Sequence, residues 1–409
     1  MLQRPGMRPV RQQLRRSHRW LAVSRHLPRR HSSSFVTSSG ESTEPLRILF
    51  FGSDDFSTAS LRGLDGLRAE KPGLIESIDV ATLLPKPVGR GLKQVRHPSV
   101  VEPAKSFGMP LHQLSSFEHF EMPKGINLII AVSFGLFIPA SVLRQCRYGG
   151  LNVHPSLLPD LRGAAPIIRA WLQKDEFYGV TLQTLDENKF DRGRILAQTP
   201  RPGLDMRSLG VRDIEGRLAD EGALMLARGL ARGLHVDHLA GRDDDDAGWK
   251  AEDLRRAGRR ARYAAKITKA ELRVDWEGWA AEDWARRAAL GGGVFTWVRS
   301  SSSSSGGRKG EEWRRVIFRD AERVPPGDDD AVAGAHHHSI RVRDENGGGE
   351  RSVRCLTAAG TGDVYFYCGN KGEERVRVGS ATVEGKASVA ASVALKSCLE
   401  KSLTPEGVR

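Results

Sequence analysis

Two short apolar runs, LRILFF at Leu46–Phe51 and NLIIAVSF at Asn127–Phe134, restrict the fold more than any other feature of the chain. Each is bounded by glycine, Gly52 after the first and Gly125 and Gly135 around the second. An unbroken apolar run closed off by turn residues reads as a buried strand, of the kind found where helices cover both sides of a parallel sheet. The intervening segments supply the helices. Ser53, Asp54 and Asp55 are good caps for a helix over Phe56–Leu67, and helical patterns recur at Val101–Phe107, Ile138–Cys146, Ala164–Gln173 and Asp213–Leu234. The last carries an apolar stripe that includes Ile214, Leu218, Leu224, Met225 and Leu226. Further strands are expected at Ile78–Leu84, Leu151–His154, Val180–Leu185 and Ile195–Gln198. This alternation is that of a doubly wound, Rossmann-like α/β sheet. The first turn, FGSDDF, holds one glycine, so the GxGxxG fingerprint of dinucleotide binding is missing.

Chemistry concentrates in LNVHPSLLPDLRGAAP, Leu151–Pro166. In an extended Leu151–His154, Asn152 and His154 share one face while Leu151 and Val153 point into a core, and Pro155 ends the strand. An amide and an imidazole side by side at a strand end can hold a carbonyl and stabilise an oxyanion. Equally, an Asn and a His in such a place can simply tie down a loop. In a doubly wound sheet ligands sit outside the carboxyl ends of the strands, where this pair falls. Asp191, in the DRG between two expected strands, is the leading candidate carboxylate, in a polar loop with Asp186, Glu187 and Arg192.

Charge is unevenly distributed. Residues 1–40 hold nine arginines and no Asp, Glu or Lys, and without them the formal charge of the 409-residue chain drops from +13 to +4. An Arg-rich, acid-free segment ending in Ser32–Ser39 has the composition of an organellar transit peptide, and mitochondrial import is the expectation; the alternative is a retained basic arm that binds nucleic acid. No apolar run approaches the ~20 residues needed to span a bilayer. Cys146, Cys355, Cys368 and Cys398 lack CxxC spacing, so buried free thiols are expected rather than a zinc ribbon or a disulfide framework.

The stretch PKPVGRGLKQVRHPSV carries Lys86, Arg90, Lys93 and Arg96 among Gly and Pro, and reads as an exposed basic loop. It suits a polyanion such as RNA, or is simply solvated. GRDDDDAGWKAEDLRRAGRR, residues 241–260, has the composition of a linker between a domain at 45–240 and a second at 261–401. Asp243–Asp246 in it are read as solvated rather than as a metal site. In the second domain AAKITKAEL reads as a basic helix start. Short β-like runs follow at Arg315–Phe318, Ile340–Arg343, Val353–Leu356, Val364–Tyr367 and Val376–Val378, the pattern of a small antiparallel, OB-like barrel. Ser300–Gly307, Pro325–Asp330 and His336–His338 interrupt it as low-complexity inserts, the last read as a loop rather than a metal site.

Together ILFFGSDDF, the GRG at Gly89–Gly91, AVSFGLFIP, NVHPSLLP, RGAAPI and FDRGRIL make the chain resemble the 10-formyltetrahydrofolate-dependent formyltransferases from Leu46 to Gln198, with a weaker match through YAAKITKAELRVDW and EGK at Glu384–Lys386. The resemblance implies a formyltransferase with 10-formyltetrahydrofolate as co-substrate and no metal, its catalytic residues Asn152, His154 and Asp191. Asn152 and His154 are then expected to donate to the developing oxyanion, with Asp191 favouring a protonated His154 or taking the proton of the attacking amine. Folate contacts are implied at Ser133, Phe134, Gly135, Leu136, Ser156, Leu157, Leu158, Pro159 and Asp186, and transfer-RNA contacts at Lys86, Arg90 and Lys93. RGAAP and the second domain resemble the branch acting on methionyl-initiator tRNA, which with the leader implies a monomer of the mitochondrial matrix. A transferase acting on a small amine, such as glycinamide ribonucleotide or an amino sugar, and a non-catalytic RNA-binding relative are the alternatives. Asp160 and Leu161 stand where basic and aromatic residues are frequent in this family, from which a changed approach to the RNA is expected.

Overall fold

A computed structural model describes residues 44–237, 260–303, 309–325, 332, 334–343, 349–358, 360–369 and 373–401. The expected leader and the Asp243–Asp246 run lie outside these residues, as does the expected linker but for Arg260.

The first sheet opens with β1 (Leu46–Gly52), whose Leu46, Ile48, Leu49, Phe50 and Phe51 are fully buried. The chain turns at Gly52, where an added Cβ would lie 2.7 Å from Ser57 Cβ, and enters α1 (Asp55–Glu70). Asp54 caps this helix: its carboxylate accepts from Ser57 N at 2.9 Å and its own N–H donates to Ser57 Oγ at 3.0 Å. Next come β2 (Ile75–Leu83), a ribbon of β3 (Lys86–Val88) and β4 (Gln94–Arg96), α2 (Val101–Ser106) and β5 (Leu111–Leu114). β6 (Leu128–Val132) is buried at every residue, as its unbroken apolar run requires, and α3 (Ala140–Leu143) connects it to β7 (Gly150–His154). After α4 (Pro166–Leu172), β8 (Phe177–Tyr178), β9 (Thr181–Thr184) and β10 (Ile195–Gln198), the short β11 (Leu204–Asp205) pairs with β8. The chain then enters α5 (Val211–Ala231).

The sheet order is β10-β9-β7-β6-β1-β2-β5. The five strands from β7 to β5 are parallel, and β9 and β10 add antiparallel at one edge. Strand order reverses between β1 and β6, which opens a crevice at their carboxyl ends. On one side α1 packs on α5. The face of α5 turned inward runs through Ile214, Leu218, Gly222, Ala223 and Leu226, while Leu224 and Met225 are only half-buried. Small residues take the crossing because a Cβ on Gly63 of α1 would already sit 3.3 Å from Ala223. On the other side Phe51, Phe117, Phe120 and Phe134 form one aromatic cluster.

The second sheet is antiparallel throughout. It comprises β12 (Val294–Ser303), β13 (Lys309–Val324), β14 (His336–Arg343), β15 (Glu350–Thr357), β16 (Val364–Cys368), β17 (Glu374–Val383), β18 (Ser388–Ala390) and β19 (Glu400–Lys401). The order is β12-β13-β17-β16-β15-β14-β19, with β18 on β17 and a further pairing of β12 with β14 at Val298 and Val342. Trp284, from the helix Ala281–Ala288, fills its core and stacks on Phe366 at 5.8 Å. Cys146, Cys355, Cys368 and Cys398 are free and buried, and burial pushes the thiols of Cys355 and Cys368 up to about 12.

Four segments differ from expectation. The basic stretch after β2 is not irregular throughout, since β3 and β4 pair across a single turn. AAKITKAEL forms no α-helix: it is extended, with one 3-10 turn at Ala270–Leu272, because it lies along the first half of the molecule. Ser300–Ser303 continue β12 against Lys309–Glu312, so cross-strand bonding overrides the turn preference of serine. His336–His338 begin β14, opposite Thr357, Leu356 and Cys355, rather than forming a loop. From Pro45 onward the described residues form one compact unit by their contacts. No helix among the described residues is long and apolar enough to cross a membrane.

Candidate active site

β7 delivers Asn152 and His154 to the carboxyl end of the first sheet, and its antiparallel partner β9 sets Gln183 opposite Asn152 and Thr181 opposite His154. Cross-strand partners share a face, so these four polar side chains line up on one side of the sheet. Thr181 fixes the outgoing loop: its hydroxyl donates to Ser156 O at 2.6 Å and accepts from Leu158 N at 3.2 Å. Gln198 on β10 reinforces it, donating to Thr181 Oγ1 at 2.7 Å and to Leu158 O at 2.9 Å.

Asp191 reaches this face from the loop between β9 and β10, with its backbone left-handed at φ +54°. Its Oδ1 lies 3.3 Å from His154 Nδ1, and its Oδ2 accepts from Gly163 N at 2.9 Å. The side chains of His154 and Asp191 are only 6% and 11% exposed. His154 Nε2 donates to Leu161 O at 3.0 Å. Both ring nitrogens therefore face acceptors, Leu161 O and Asp191 Oδ1. Asn152 Nδ2 donates to Ala131 O at 2.9 Å while its Oδ1 accepts from Gln183 Nε2 at 3.0 Å. Gln183 Nε2 also lies 3.5 Å from Asp191 Oδ1, so the fully buried Gln183 joins the amide to the carboxylate. Asn152, His154 and Asp191 thus come together, but neither nitrogen of His154 points at an open oxyanion position in this state.

The other expected site residues divide. Ser133 and Gly135 are exposed in the left-handed turn that follows β6, at φ +47° and +85°, with Leu136 half-buried. Phe134 instead points into the core, its ring 4.9 Å from that of Phe51. Asp186 shapes its own loop by accepting from Asn188 N and Lys189 N, both at 2.8 Å. Phe190 in this loop is 59% exposed and meets Phe137 edge-on at 5.1 Å. Ser156, Leu158 and Pro159 are buried and Leu157 half-buried, and the Ser156 hydroxyl donates to Asp160 O at 2.7 Å. Lys86 and Lys93 are exposed on the β3–β4 ribbon, and Arg90 opens the turn Arg90–Leu92 between its strands.

Asp160 turns to Arg262 and away from solvent. It is buried and bound by Arg262, Nη2 to Oδ2 at 2.6 Å, so the charge lost from the family pattern is matched inside the molecule. A cavity of about 360 Å³, lined among others by Leu157, Asp160, Lys174, Tyr178 and Arg262, lies along this loop and includes none of Asn152, His154 and Asp191. At the crevice, burial pushes the carboxyl of Asp54 above its ordinary value against the hydrogen bonds of Ser57 and Ser133. The residues missed from sequence are Gln183, Gly163 and Arg162, whose Nε donates to Asp191 O at 2.7 Å. Of these only Gln183 left a signal, as a polar residue at an inward position of VTLQTL. Among the described residues no three His, Cys, Asp or Glu side chains are grouped to hold a metal.

The formyl transferase family matches residues 46–229. The methionyl-tRNA formyltransferase of Saccharomyces cerevisiae mitochondria is 37% identical over 209 residues, 46% of this chain and 51% of that protein. The methionyl-tRNA formyltransferase of Methylococcus capsulatus is 35% identical over 243 residues, 57% of this chain and 70% of that protein. Among solved structures WlaRD, a sugar 3N-formyl transferase, aligns at 11% identity with a TM-score of 0.47, covering 84% of this chain and 100% of that one. The match spans about half the length of the yeast relative.

Proposed function

The chain belongs to the formyl transferase family, and from that premise we propose that it moves the formyl group of 10-formyltetrahydrofolate to the α-amino group of methionine on initiator tRNA. The observation that carries this reading is the grouping of Asn152, His154 and Asp191 on one face, with Asp191 3.3 Å from the imidazole and Gln183 standing between the amide and the carboxylate.

The reaction needs an amine to attack the formyl carbon, donors for the charge that develops on its oxygen, and an acceptor for the amine's proton. The bond from that carbon to folate N10 then breaks, and N10 leaves with a proton. Asn152 Nδ2 has a second N–H beyond the one given to Ala131, and it serves the oxyanion. One such donor is typically worth about 3 kcal/mol, or about 10²-fold in rate. His154, protonated between Leu161 O and Asp191, sets a positive charge beside the intermediate and reaches the oxyanion through Nε2 by letting go of Leu161. Asp191 balances that charge and takes the amine's proton, directly or through water, and this proton passes to N10 as the C–N10 bond breaks.

Folate lies between the turn Ser133–Leu136 and the loop Asp186–Asp191. The exposed Gly135 and the Phe190–Phe137 edge support this position. The loop Ser156–Pro159 contributes chiefly through its shape, given its burial. RNA is held at Lys86, Arg90 and Lys93 and on the second sheet, with residues 45–240 as the catalytic domain and 261–401 as an OB-like barrel. The pairing of β12 with β14 supports closure of that barrel. A band of cations and aromatic rings supports RNA binding there: Arg315 lies 4.0 Å from the Phe295 ring, Arg273 5.5 Å from Trp297 and Arg343 5.1 Å from Trp313. The nine arginines of residues 1–40 and the mitochondrial relative support action in the mitochondrial matrix.

The test offers the purified chain 10-formyltetrahydrofolate with methionyl-tRNA, glycinamide ribonucleotide or a nucleotide-linked amino sugar. Formylation of methionyl-tRNA alone is expected. Formylation of a small amine alone would replace the substrate assignment, and RNA binding without turnover would remove the enzymatic one.

A further inference from the structure

We propose that Arg262, in the segment that leads into the second sheet, is a positioning residue for His154 and Asp191. It acts through the loop Asp160–Ala165, and its catalytic consequence rests on the reading above.

The loop has two edges. One faces the site, where Leu161 O accepts from His154 Nε2 at 3.0 Å and Gly163 N donates to Asp191 Oδ2 at 2.9 Å. The other is paired with Arg262–Ala264: Leu161 N donates to Arg262 O at 2.9 Å, Ala264 N to Arg162 O at 2.6 Å, and Ala165 N to Ala264 O at 3.0 Å. Leu161 is therefore gripped by Arg262 at its N–H and presents its carbonyl to the imidazole. The fit is close, since a Cβ on Gly163 would lie 2.7 Å from Ala264 O. Leu161 and Gly163 both have positive φ, +57° and +120°. The left-handed region is unfavourable for leucine, so the loop holds this shape only while its surroundings enforce it.

The Arg262 side chain locks the pairing. Its Nε lies 3.2 Å from both Asp160 carboxylate oxygens, Nη2 bonds Asp160 and Asp175 at 2.6 Å each, and Nη1 bonds Asp175 at 2.9 Å and Gln173. Its backbone N–H adds a bond to Asp160 Oδ1 at 2.8 Å. Every guanidinium N–H is thus used on the two flanks of the loop, and both aspartate side chains are only 11% exposed. Removing the cation leaves two buried carboxylates facing each other, which drives the segment off the loop edge. The acidic Asp160, a departure from the family pattern, is half of this clamp.

The full chain is compared with R262A, R262K and a control, R169A. The control removes a different contact between the same halves, Arg169 to Glu271 and Ala265 O, which does not end on Leu161. For R262A, kcat is expected to fall at least about tenfold, with KM for formylfolate within about twofold. The ¹⁵N shifts of the His154 ring are expected to move, and R262K to recover part of both effects. R169A is expected to lose thermal stability while keeping kcat within about twofold and the His154 shifts unchanged. If R262A does not fold, the same readouts on R262K and D160N decide. An unmoved His154 spectrum with unchanged kcat, or a change equal to that in R169A, overturns the proposal. A wild-type chain without formyl transfer would refute the functional reading, and the His154 spectra would still judge the clamp.

Discussion

Replacing Asp191 by Asn tests the charge at the site while keeping its shape. The new side chain satisfies Gly163 N–H with its oxygen, as Oδ2 does now, and so turns its amide toward His154 Nδ1. That nitrogen must then accept, and the ring becomes neutral with its proton on Nε2 for Leu161 O. In the proposed protonated state of His154, two unit charges 3.3 Å apart attract by about 5 kcal/mol at an effective dielectric of about 20, and side chains only 6% and 11% exposed are little screened. Part of this is recovered by the neutral pair, so kcat is expected to fall by about 10³-fold, or about 4 kcal/mol. Of the hydrogen bonds to this side chain only the long 3.5 Å contact from Gln183 is lost, so stability changes little. Single-turnover formylation, with formylfolate and methionyl-tRNA saturating, measures the loss, and calorimetry checks the fold. A kcat within tenfold of wild type in a normally folded D191N would refute the role given to this carboxylate.

The K86A/K93A double variant should raise KM for tRNA and flatten its salt dependence by about one unit of slope per charge removed, leaving KM for folate unchanged; an unaltered tRNA KM would refute the ribbon assignment. G163A should destabilise the protein by about 2 kcal/mol in denaturant unfolding, because its φ of +120° and the 2.7 Å approach to Ala264 O both disfavour a side chain; wild-type stability would contradict the close pairing. The hydrogen bonds of Arg169 hold the carboxyl of Glu271 down to about 2 from an ordinary 4.5. A folded value below the unfolded one gives stability that is present above about pH 4.5 and lost as pH falls toward 2, so E271Q should flatten the acid side of a Tm-against-pH curve, and an unchanged curve would contradict the pair.

The parts of the fold legible in sequence are those governed by local pattern. LRILFF and NLIIAVSF became β1 and β6 within a residue or two at each end, because strands buried on both faces leave an unbroken apolar run. Asn152 and His154 share a face as strand geometry demands. What escaped depends on partners distant in sequence. β5, four residues at the sheet edge, has no pattern of its own. Ser300–Ser303 and His336–His338 are strands only because Lys309–Glu312 and Cys355–Thr357 bond to them. AAKITKAEL has helical composition but is drawn out along the first half, where Arg169 bonds Ala265 O and Glu271. The site shows the same division. Motif resemblance singled out three side chains that the fold brings together, but not that Leu161 and Asp191 occupy both nitrogens of His154 or that Asp160 serves Arg262.

The central claim is that the trio at the end of β7 transfers a formyl group to methionyl-tRNA. The most direct measurement is mass spectrometry of the aminoacyl group released from methionyl-tRNA after incubation with the purified chain and 10-formyltetrahydrofolate, run beside a folded N152A variant. Formylmethionine from the wild type, and at least about 10²-fold less from N152A, is the predicted result. Unmodified methionine from the wild type, or equal formylation by N152A, would contradict it.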